Sequence, residues 1–326
     1  MKQAIAREML RVLKPQGSIL WYDFFMDNPR NSNVRGIGRR ELASLFPDCR
    51  IWLRRVTLAP PLARRIVPVT LELGGKSPAI VGEGYSLAQA AIRIMFGKCL
   101  NAGQTCVAPD YVFVPKSKVD AFVQECKAAT TRMFASFGGN ADYTSIISER
   151  HLERLRSLVD EAKSKGASVV ELSSEGVDAK ARKMPPVLLL DAKDDTMVMQ
   201  DEIFGPILPV RTYDALDEVI AYVNERPRPL ALYYFDNDQR RIDKVLRETV
   251  SGGVTVNDVL MHVGQDDMPF GGVGASGMGH YHGREGFETF SKKKGVFYQS
   301  RMPGTALLRP PYGSRIDFIL RALLGR

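Results

Sequence analysis

Long apolar runs are missing from this chain of 326 residues: none approaches the roughly 20 residues that a membrane-spanning helix requires. The N-terminus also lacks the charged-then-apolar pattern of a signal peptide, because Glu8, Arg11 and Lys14 interrupt any such stretch. These absences lead us to expect a cytoplasmic protein. The composition, 44% hydrophobic and 25% charged, is typical of globular domains, and the length has room for about two of them.

Cysteine and histidine are both scarce, with four residues of each. The cysteines are too few and too scattered for a disulfide scaffold or a Cys-x-x-Cys metal site. They are Cys49, Cys99, Cys106 and Cys126. Among the histidines, His280 and His282 are near each other, but no pattern of Asp, Glu or Cys completes a zinc site around them. We therefore expect no metal centre.

The net charge of +8 is concentrated at one end of the chain. Residues 1–66 hold 13 Lys or Arg and 5 Asp or Glu, whereas the rest of the chain holds 32 of each kind. A basic segment can bind nucleic acid or an anionic lipid surface. No nucleic-acid motif with interleaved aromatic residues accompanies it. We interpret the segment as a solvated basic face and expect no nucleic-acid partner.

The pattern of predicted elements divides the chain at about Val67. From there to about residue 299, strand-like segments alternate with amphipathic helices, of which 148–165 is the clearest. Such alternation predicts an α/β domain, 67–299, with a mostly parallel, doubly wound sheet. Residues 300–326 form a tail with a short amphipathic helix at 316–324, and we favour its packing on protein over contact with a membrane.

Residues 1–66 are predicted to hold a helix at 3–14 and an apolar strand at 18–25. This order, with Leu-Arg-Val-Leu-Lys-Pro-Gln-Gly before the strand, resembles the C-terminal part of a class I S-adenosylmethionine-dependent methyltransferase. We therefore expect a small α/β methyltransferase-like fragment. The glycine-rich loop by which such enzymes bind their cofactor has no counterpart here, so methyl transfer is not the expected activity.

Four short segments carry residues suited to thiol chemistry. In chain order they are 71–78, 103–106, 202–206 and 269–274. The first places Glu72 at a strand end before a Gly-Gly turn, where the carboxylate can face a cleft. The second places Cys106 in a loop of small residues after a helix. There the sulfur can reach a substrate, and the backbone N–H can point at the reacting oxygen.

Together, these motifs in this order resemble the aldehyde dehydrogenase superfamily, over about residues 67–299. The segments 257–262 (Asn-Asp-Val-Leu-Met-His) and 281–283 (Tyr-His-Gly) are most similar to the branch that acts on fatty and aromatic aldehydes, including coniferyl aldehyde. The resemblance implies the fold of the family's catalytic domain. It also implies the NAD- or NADP-dependent oxidation of a small-molecule aldehyde to a carboxylic acid.

The resemblance implies a role for each of four residues. The thiolate of Cys106 would add to the aldehyde to give a thiohemiacetal, which becomes a thioester when a hydride leaves for the cofactor. Glu72 would activate the water that hydrolyses the thioester. Glu202 would hydrogen-bond the nicotinamide ribose, and Phe204 would pack beside the nicotinamide.

Each of these residues also has a purely structural interpretation. Cys106 would then be a buried thiol, as cysteines usually are. Glu72 would be a surface charge, Glu202 a capping carboxylate, and Phe204 an aromatic residue of the core. Packing or surface roles are the favoured interpretation for Cys99, Cys126, His262, His280 and His282.

The sequence departs from the family in its first 66 residues. They lack the Pro-Trp-Asn, Lys-Pro-Ser and Gly-Ser-Thr segments of the family's cofactor-binding half. We therefore expect a fused or truncated chain that keeps a nearly whole catalytic domain but has little dehydrogenase activity. Two other functions stay open: a cofactor-independent thiol esterase that uses Cys106 and Glu72, and a catalytically inactive interaction protein. A homodimer also stays open.

Overall fold

The computed structural model describes Ser44 and the residues 70–289, 291, 293–301, 309–311 and 315–324. The chain divides into two compact units, Met1–Val69 and Thr70–Arg326. Apart from Ser44, every described residue belongs to the second unit. The predicted methyltransferase-like fragment, 1–66, therefore lies outside the described residues, again apart from Ser44.

Nine strands occur among the described residues. They are β1 (Leu71–Glu72), β2 (Pro78–Val81), β3 (Tyr111–Pro115), β4 (Ser168–Glu171), β5 (Val187–Leu190), β6 (Ile207–Tyr213), β7 (Ala231–Phe235), β8 (Gly253–Val256) and β9 (Gly277–Met278). Seven of them form one sheet in the order β4-β5-β6-β3-β2-β7-β8, and β1 and β9 form a separate antiparallel pair. Within the large sheet every neighbouring pair is parallel except β4 and β5. The α/β fold with a mostly parallel sheet is confirmed.

The first six helices lie between strands in the sequence, and the last two follow β9. Among the described residues they are α1 (Leu87–Cys99), α2 (Val119–Met133), α3 (Glu149–Ser164), α4 (Met197–Gln200), α5 (Leu216–Glu225), α6 (Gln239–Glu248), α7 (Gly283–Thr289) and α8 (Arg315–Leu324). In this part of the chain no helix is both long and apolar enough to cross a membrane. The tail segment predicted to be amphipathic is helical, as α8.

The sequence sets the bounds of α3 by local chemistry. The hydroxyl of Ser148 accepts the N–H of His151 at 3.2 Å and caps the N-terminus. Gly166 follows the C-terminus with φ +100°, a conformation that ends helices and favours glycine. Between these signals, leucines at helical spacing are buried, and Leu155 among them is fully buried.

The centre of the sheet is formed by strands buried on both faces. Every residue of β2, β3 and β7 is buried. Parallel strands with both faces covered have continuous apolar runs, without the alternation that marks a half-exposed strand. The sequence does not predict β2, because it is a run of only four residues and begins with Pro78.

Removing the Leu155 side chain tests the packing between α3 and the loop 202–206. A Cβ placed on Gly205 would lie 2.3 Å from Leu155 Cδ2, so the leucine packs directly against that loop. We expect Leu155→Ala to lower the free energy of unfolding by about 2–5 kcal/mol. Leu246→Ala on α6, where the leucine is 44% exposed, is the control and should cost no more than about 0.5 kcal/mol. Urea unfolding followed by circular dichroism measures both, and equal losses would contradict the assigned packing.

Candidate active site

The structure brings the four residues singled out by the sequence to one region, at the ends of β1, α1 and α4. The charges of Glu72 and Glu202 both act on the thiol of Cys106. The segments of the two carboxylates are joined by Gly75, whose N–H donates to Glu202 Oε2 at 3.1 Å. Phe204 lies two residues beyond Glu202, with 37% of its surface exposed.

The loop that carries Cys106 is held in shape by Gln104. After α1 the chain makes a tight turn in which Asn101 and Ala102 adopt left-handed conformations, with φ +51° and +53°. The buried amide of Gln104 donates to the carbonyls of Asn101 and Ser145, at 2.9 and 3.2 Å. Its oxygen accepts the N–H of Ile147 at 2.9 Å. Because the side chain is bonded through both its nitrogen and its oxygen, the residues before Cys106 have little freedom.

Gly103 brings the cysteine loop against the loop 202–206. It has φ +73°, and a Cβ placed there would lie 2.3 Å from the carbonyl oxygen of Gly205. Any larger residue would push the two backbones apart, since a real Cβ almost never approaches a backbone atom so closely. A glycine at this position is therefore what allows the two loops to touch.

The environment of Cys106 disfavours its thiolate. The residue is only partly exposed, and burial, followed by the charges of Glu72 and Glu202, raises the pKa of its thiol to about 11. The backbone N–H groups of Cys106 and Val107 hydrogen-bond the sulfur and act in the opposite direction. The thiol is therefore protonated at neutral pH, and nucleophilic attack needs a group that takes its proton.

Glu72 ends β1 at the surface of the site. Its strand pairs with β9, where Glu72 lies opposite Gly277. A Cβ on Gly277 would lie 2.2 Å from the Leu71 carbonyl oxygen, so this pairing requires glycine. The carboxylate accepts the N–H of Gly74 at 3.2 Å and is otherwise exposed. The segment 269–277 thus contributes close backbone approach, as its glycines predict.

The loop 202–204 is fixed by side chains of α3. Arg154 donates to the carbonyl oxygens of Ile203 and Glu202, at 2.8 and 2.7 Å. His151 Nε2 donates to the carbonyl oxygen of Phe204 at 2.7 Å. Phe204 has φ +52°, a left-handed conformation that costs free energy in any residue but glycine. Three successive carbonyls are therefore bound, and these contacts hold Phe204 in its strained conformation.

Glu202 is a carboxylate with a raised pKa, of about 7. Burial is the main cause, and the charge of Asp110 adds to it, while the hydrogen bond from Gly75 acts in the opposite direction. The N–H of Gly75 donates a hydrogen bond to one carboxylate oxygen. The other oxygen is a suitable acceptor for ribose hydroxyls. Beside it, the half-exposed ring of Phe204 is a suitable apolar surface for a nicotinamide. These two residues fit the ribose and ring of a nicotinamide cofactor.

Tyr281 is a residue of this region that the sequence did not single out. Burial and then the charges of Glu72 and Cys106 raise the pKa of its hydroxyl, which places it close to both. Its ring meets the rings of Phe270 and His282 edge-on, with centroids 5.4 and 4.8 Å apart. The signal was the Tyr-His-Gly segment, which indicates a branch of the family but no individual role.

The remaining cysteines and histidines agree with structural roles where they are described. Cys99 and Cys126 are buried, as predicted. His262 is buried, its Nδ1 lies 2.8 Å from the Thr255 hydroxyl, and burial lowers its pKa to about 4. His282 stacks on the ring of Phe270, at 5.7 Å between centroids. Among the described residues, no group of three or more His, Cys, Asp or Glu could hold a metal ion.

Comparison with known proteins gives consistent results. Residues 56–296 match the model of the aldehyde dehydrogenase family. A probable coniferyl aldehyde dehydrogenase from Pseudomonas aeruginosa is 56% identical over 264 residues, which are 81% of this chain and 55% of that protein. The coniferyl aldehyde dehydrogenase of Pseudomonas sp. strain HR199 is 47% identical over 301 residues, 89% of this chain and 63% of that protein.

Solved structures show the same relationship. The substrate-bound state of Staphylococcus aureus AldH superposes with a TM-score of 0.73 at 41% identity, covering 80% of this chain and 56% of that chain. The Mycobacterium tuberculosis aldehyde dehydrogenase complexed with NAD+ gives a TM-score of 0.63 at 30% identity, covering 71% and 48%. The chain thus spans about half the length of the relatives it matches.

Arg154 can be tested by its effect on the loop 202–204. Arg154→Ala removes two hydrogen bonds from a charged donor, each worth about 1.5–3 kcal/mol. We expect amide hydrogen exchange in residues 201–205 to accelerate by at least about tenfold, the change that 1.4 kcal/mol produces. Arg156→Ala is the matched control, because Arg156 lies on the same helix and is 51% exposed. Equal exchange in the two variants would show that Arg154 does not hold the loop.

The pKa of Cys106 can be tested by its rate of alkylation. Glu72→Gln removes a negative charge that raises this pKa, so a larger fraction of the thiol is ionised at pH 8. We expect iodoacetamide to modify Cys106 severalfold faster, since a fall of one pKa unit gives about tenfold more thiolate. Peptide mass spectrometry measures the rate at this cysteine alone. Glu225→Gln, an exposed charge at the end of α5, should leave it unchanged, and an unchanged or slower rate in Glu72→Gln would contradict the assignment.

Proposed function

The chain belongs to the aldehyde dehydrogenase family, and from this membership we propose that it catalyses the oxidation of an aldehyde to a carboxylic acid with NAD or NADP. The observation that supports the proposal is that the charges of two carboxylates, Glu72 and Glu202, both act on the thiol of Cys106. A thiol of raised pKa beside an exposed carboxylate has both the nucleophile and the base that acyl chemistry needs.

The reaction begins with the transfer of the Cys106 proton. Water that reaches the partly exposed sulfur takes this proton. The sulfur then forms a bond to the aldehyde carbon and gives a thiohemiacetal. The N–H groups of Cys106 and Val107 contact the sulfur and stabilise its thiolate, and the negative charge moves to the aldehyde oxygen as the C–S bond forms.

A nicotinamide cofactor, when bound, accepts the hydride that leaves the thiohemiacetal carbon. In the proposal Glu202 holds its ribose and Phe204 packs beside its ring. His151 and Arg154 bind the backbone carbonyls of the loop 202–204, and a backbone held in place supports these roles.

The product of oxidation is a thioester on Cys106, and Glu72 returns the site to its starting state. As a general base it removes a proton from water, whose oxygen attacks the thioester carbon. The C–S bond breaks, the carboxylic acid leaves, and Cys106 regains a proton.

We propose an aromatic or fatty aldehyde, such as coniferyl aldehyde, as the substrate. Two relatives are named for coniferyl aldehyde. The aromatic cluster of Phe270, Tyr281 and His282 lies close to Cys106 and Glu72 through Tyr281 and is suited to a flat apolar substrate. A cytoplasmic location and a homodimer are further parts of the proposal that rest on the sequence alone.

A second candidate function is the hydrolysis of activated esters without a cofactor. It needs only Cys106 and Glu72, and both lie among the described residues of the second unit. The charge of Glu72 acts on the thiol of Cys106, so the two groups lie close enough to work together. Hydrolysis of a nitrophenyl ester that is lost in Cys106→Ala, without any dinucleotide-dependent oxidation, would favour it over the first.

The proposed reaction is tested with coniferyl aldehyde and either NAD or NADP. We expect an absorbance rise at the reduced-nicotinamide band that is absent in Cys106→Ala. In Glu72→Gln the thioester should accumulate, because its hydrolysis lacks a base, and intact mass spectrometry would detect an acyl group on Cys106. Glu225→Gln is the control and should behave as the unmodified chain. Cofactor reduction that persists in Cys106→Ala, or no reduction with either dinucleotide, would refute the proposal.

A further inference from the structure

A buried ion pair that the proposed mechanism does not use joins the three segments of the site. Asp110, four residues after Cys106, is 3% exposed. Its Oδ1 accepts the N–H of Ile203 at 3.0 Å, and its Oδ2 pairs with Nζ of Lys76. Its own N–H donates to the carbonyl of Ser77 at 2.8 Å. Asp110 therefore contacts the loop of Glu202 and the segment that follows Glu72.

Lys76 completes this connection from the opposite side. Besides Asp110, its Nζ donates to the carbonyl oxygens of Val198 and Asp201, at 2.8 and 3.0 Å. An ammonium group has three N–H donors, and these three acceptors use all of them. One carbonyl belongs to the second residue of α4, and the other belongs to the residue immediately before Glu202. Lys76 thus holds the backbone next to Glu202. Gly75, which precedes Lys76 in the chain, binds the Glu202 side chain.

A second lysine faces the same carboxylate. Lys98, on α1, is fully buried, and its Nζ has no hydrogen-bond partner among the described residues. Burial lowers its pKa to about 8, and Asp110 is the opposite charge that acts on it most strongly. A buried cation without a direct partner is stabilised only by nearby opposite charge. Asp110 is therefore shared between two lysines.

The charges around Glu202 come from every segment packed against it. They are Asp110, Glu72, Lys76, Lys98 and the thiol of Cys106. Arg154 binds the backbone of the same residue. Asp110 raises the pKa of Glu202, and Lys76 lowers it. The two members of the ion pair therefore act on Glu202 in opposite directions.

We propose that Lys76 and Asp110 form a positioning pair that fixes the loop of Glu202 against the segments of Cys106 and Glu72 and sets the ionisation of Glu202. The pair contacts the backbone on both sides of Glu202, at Asp201 and Ile203, and it carries the charges that Glu202 senses. Its consequence for the cofactor rests on the proposed function: an ionised Glu202 is the better acceptor for ribose hydroxyls.

The test uses the full chain without cofactor and follows the alkylation of Cys106 by iodoacetamide from about pH 5 to about pH 9. The rate divided by hydroxide concentration reports the pKa of the thiol. When Glu202 ionises, near pH 7, its charge raises the pKa of Cys106, so the normalised rate falls in a step. Glu202→Gln should remove this step, which assigns it to Glu202.

The two members of the pair should move this step in opposite directions. Asp110→Asn removes a negative charge near Glu202 and should shift the step to lower pH. Lys76→Gln removes a positive charge and should shift it to higher pH, while its amide still donates to the loop carbonyls. Asp236→Asn is the matched control: Asp236 is fully buried and paired with Arg241, but it does not act on Glu202.

Opposite shifts, with the step unmoved in Asp236→Asn, support the proposal. A step that stays in place, or moves in the same direction in both folded variants, would overturn it. Thermal unfolding identifies a variant that does not fold, and the other variant then decides alone by the direction of its shift. Lys76→Arg, which keeps the charge, must leave the step in place, and a shift there would also overturn the proposal. Because no cofactor is present, failure here is distinct from failure of the dehydrogenase assay.

Discussion

The close contact between Gly103 and Gly205 is the constraint on which the rest of the site depends. A methyl group on Gly103 would stand 2.3 Å from the carbonyl oxygen of Gly205. With no side chain at either position, the loop that ends at Cys106 lies against the loop that begins at Glu202. The buried amide of Gln104 holds one loop, and Arg154 holds the other. Without this contact, the loop of Glu202 would lie farther from the thiol of Cys106.

Electrostatics then determines what the assembled site can do. Burial and two carboxylates raise the pKa of Cys106 to about 11, and burial with Asp110 raises that of Glu202 to about 7. At neutral pH the thiol is protonated and Glu202 is balanced between its two forms. A change in the charge of either carboxylate therefore alters the reactivity of the sulfur. The lysines at positions 76 and 98 limit the accumulated negative charge.

The sequence predicts the α/β fold because alternating helices and strands leave few other arrangements. It predicts Cys106, Glu72, Glu202 and Phe204 as candidates through motifs whose order matches a family. It does not predict β2, since that strand has only four residues and begins with a proline. It also misses Asp110 and Arg154, because their importance comes from contacts with residues 93 and about 50 positions away. Such contacts exist only once the chain has folded.

Binding of the dinucleotide to the full chain tests the central claim most directly, that this site serves a nicotinamide cofactor. Calorimetric titration with NAD and with NADP, repeated on both sides of pH 7, measures it. We expect saturable binding of at least one of them, tighter above pH 7 than below, because Glu202 ionises there. In Glu202→Gln the dependence on pH should be lost. The absence of binding to either dinucleotide at every pH would contradict the account, and the thiol chemistry of Cys106 would then stand without a cofactor.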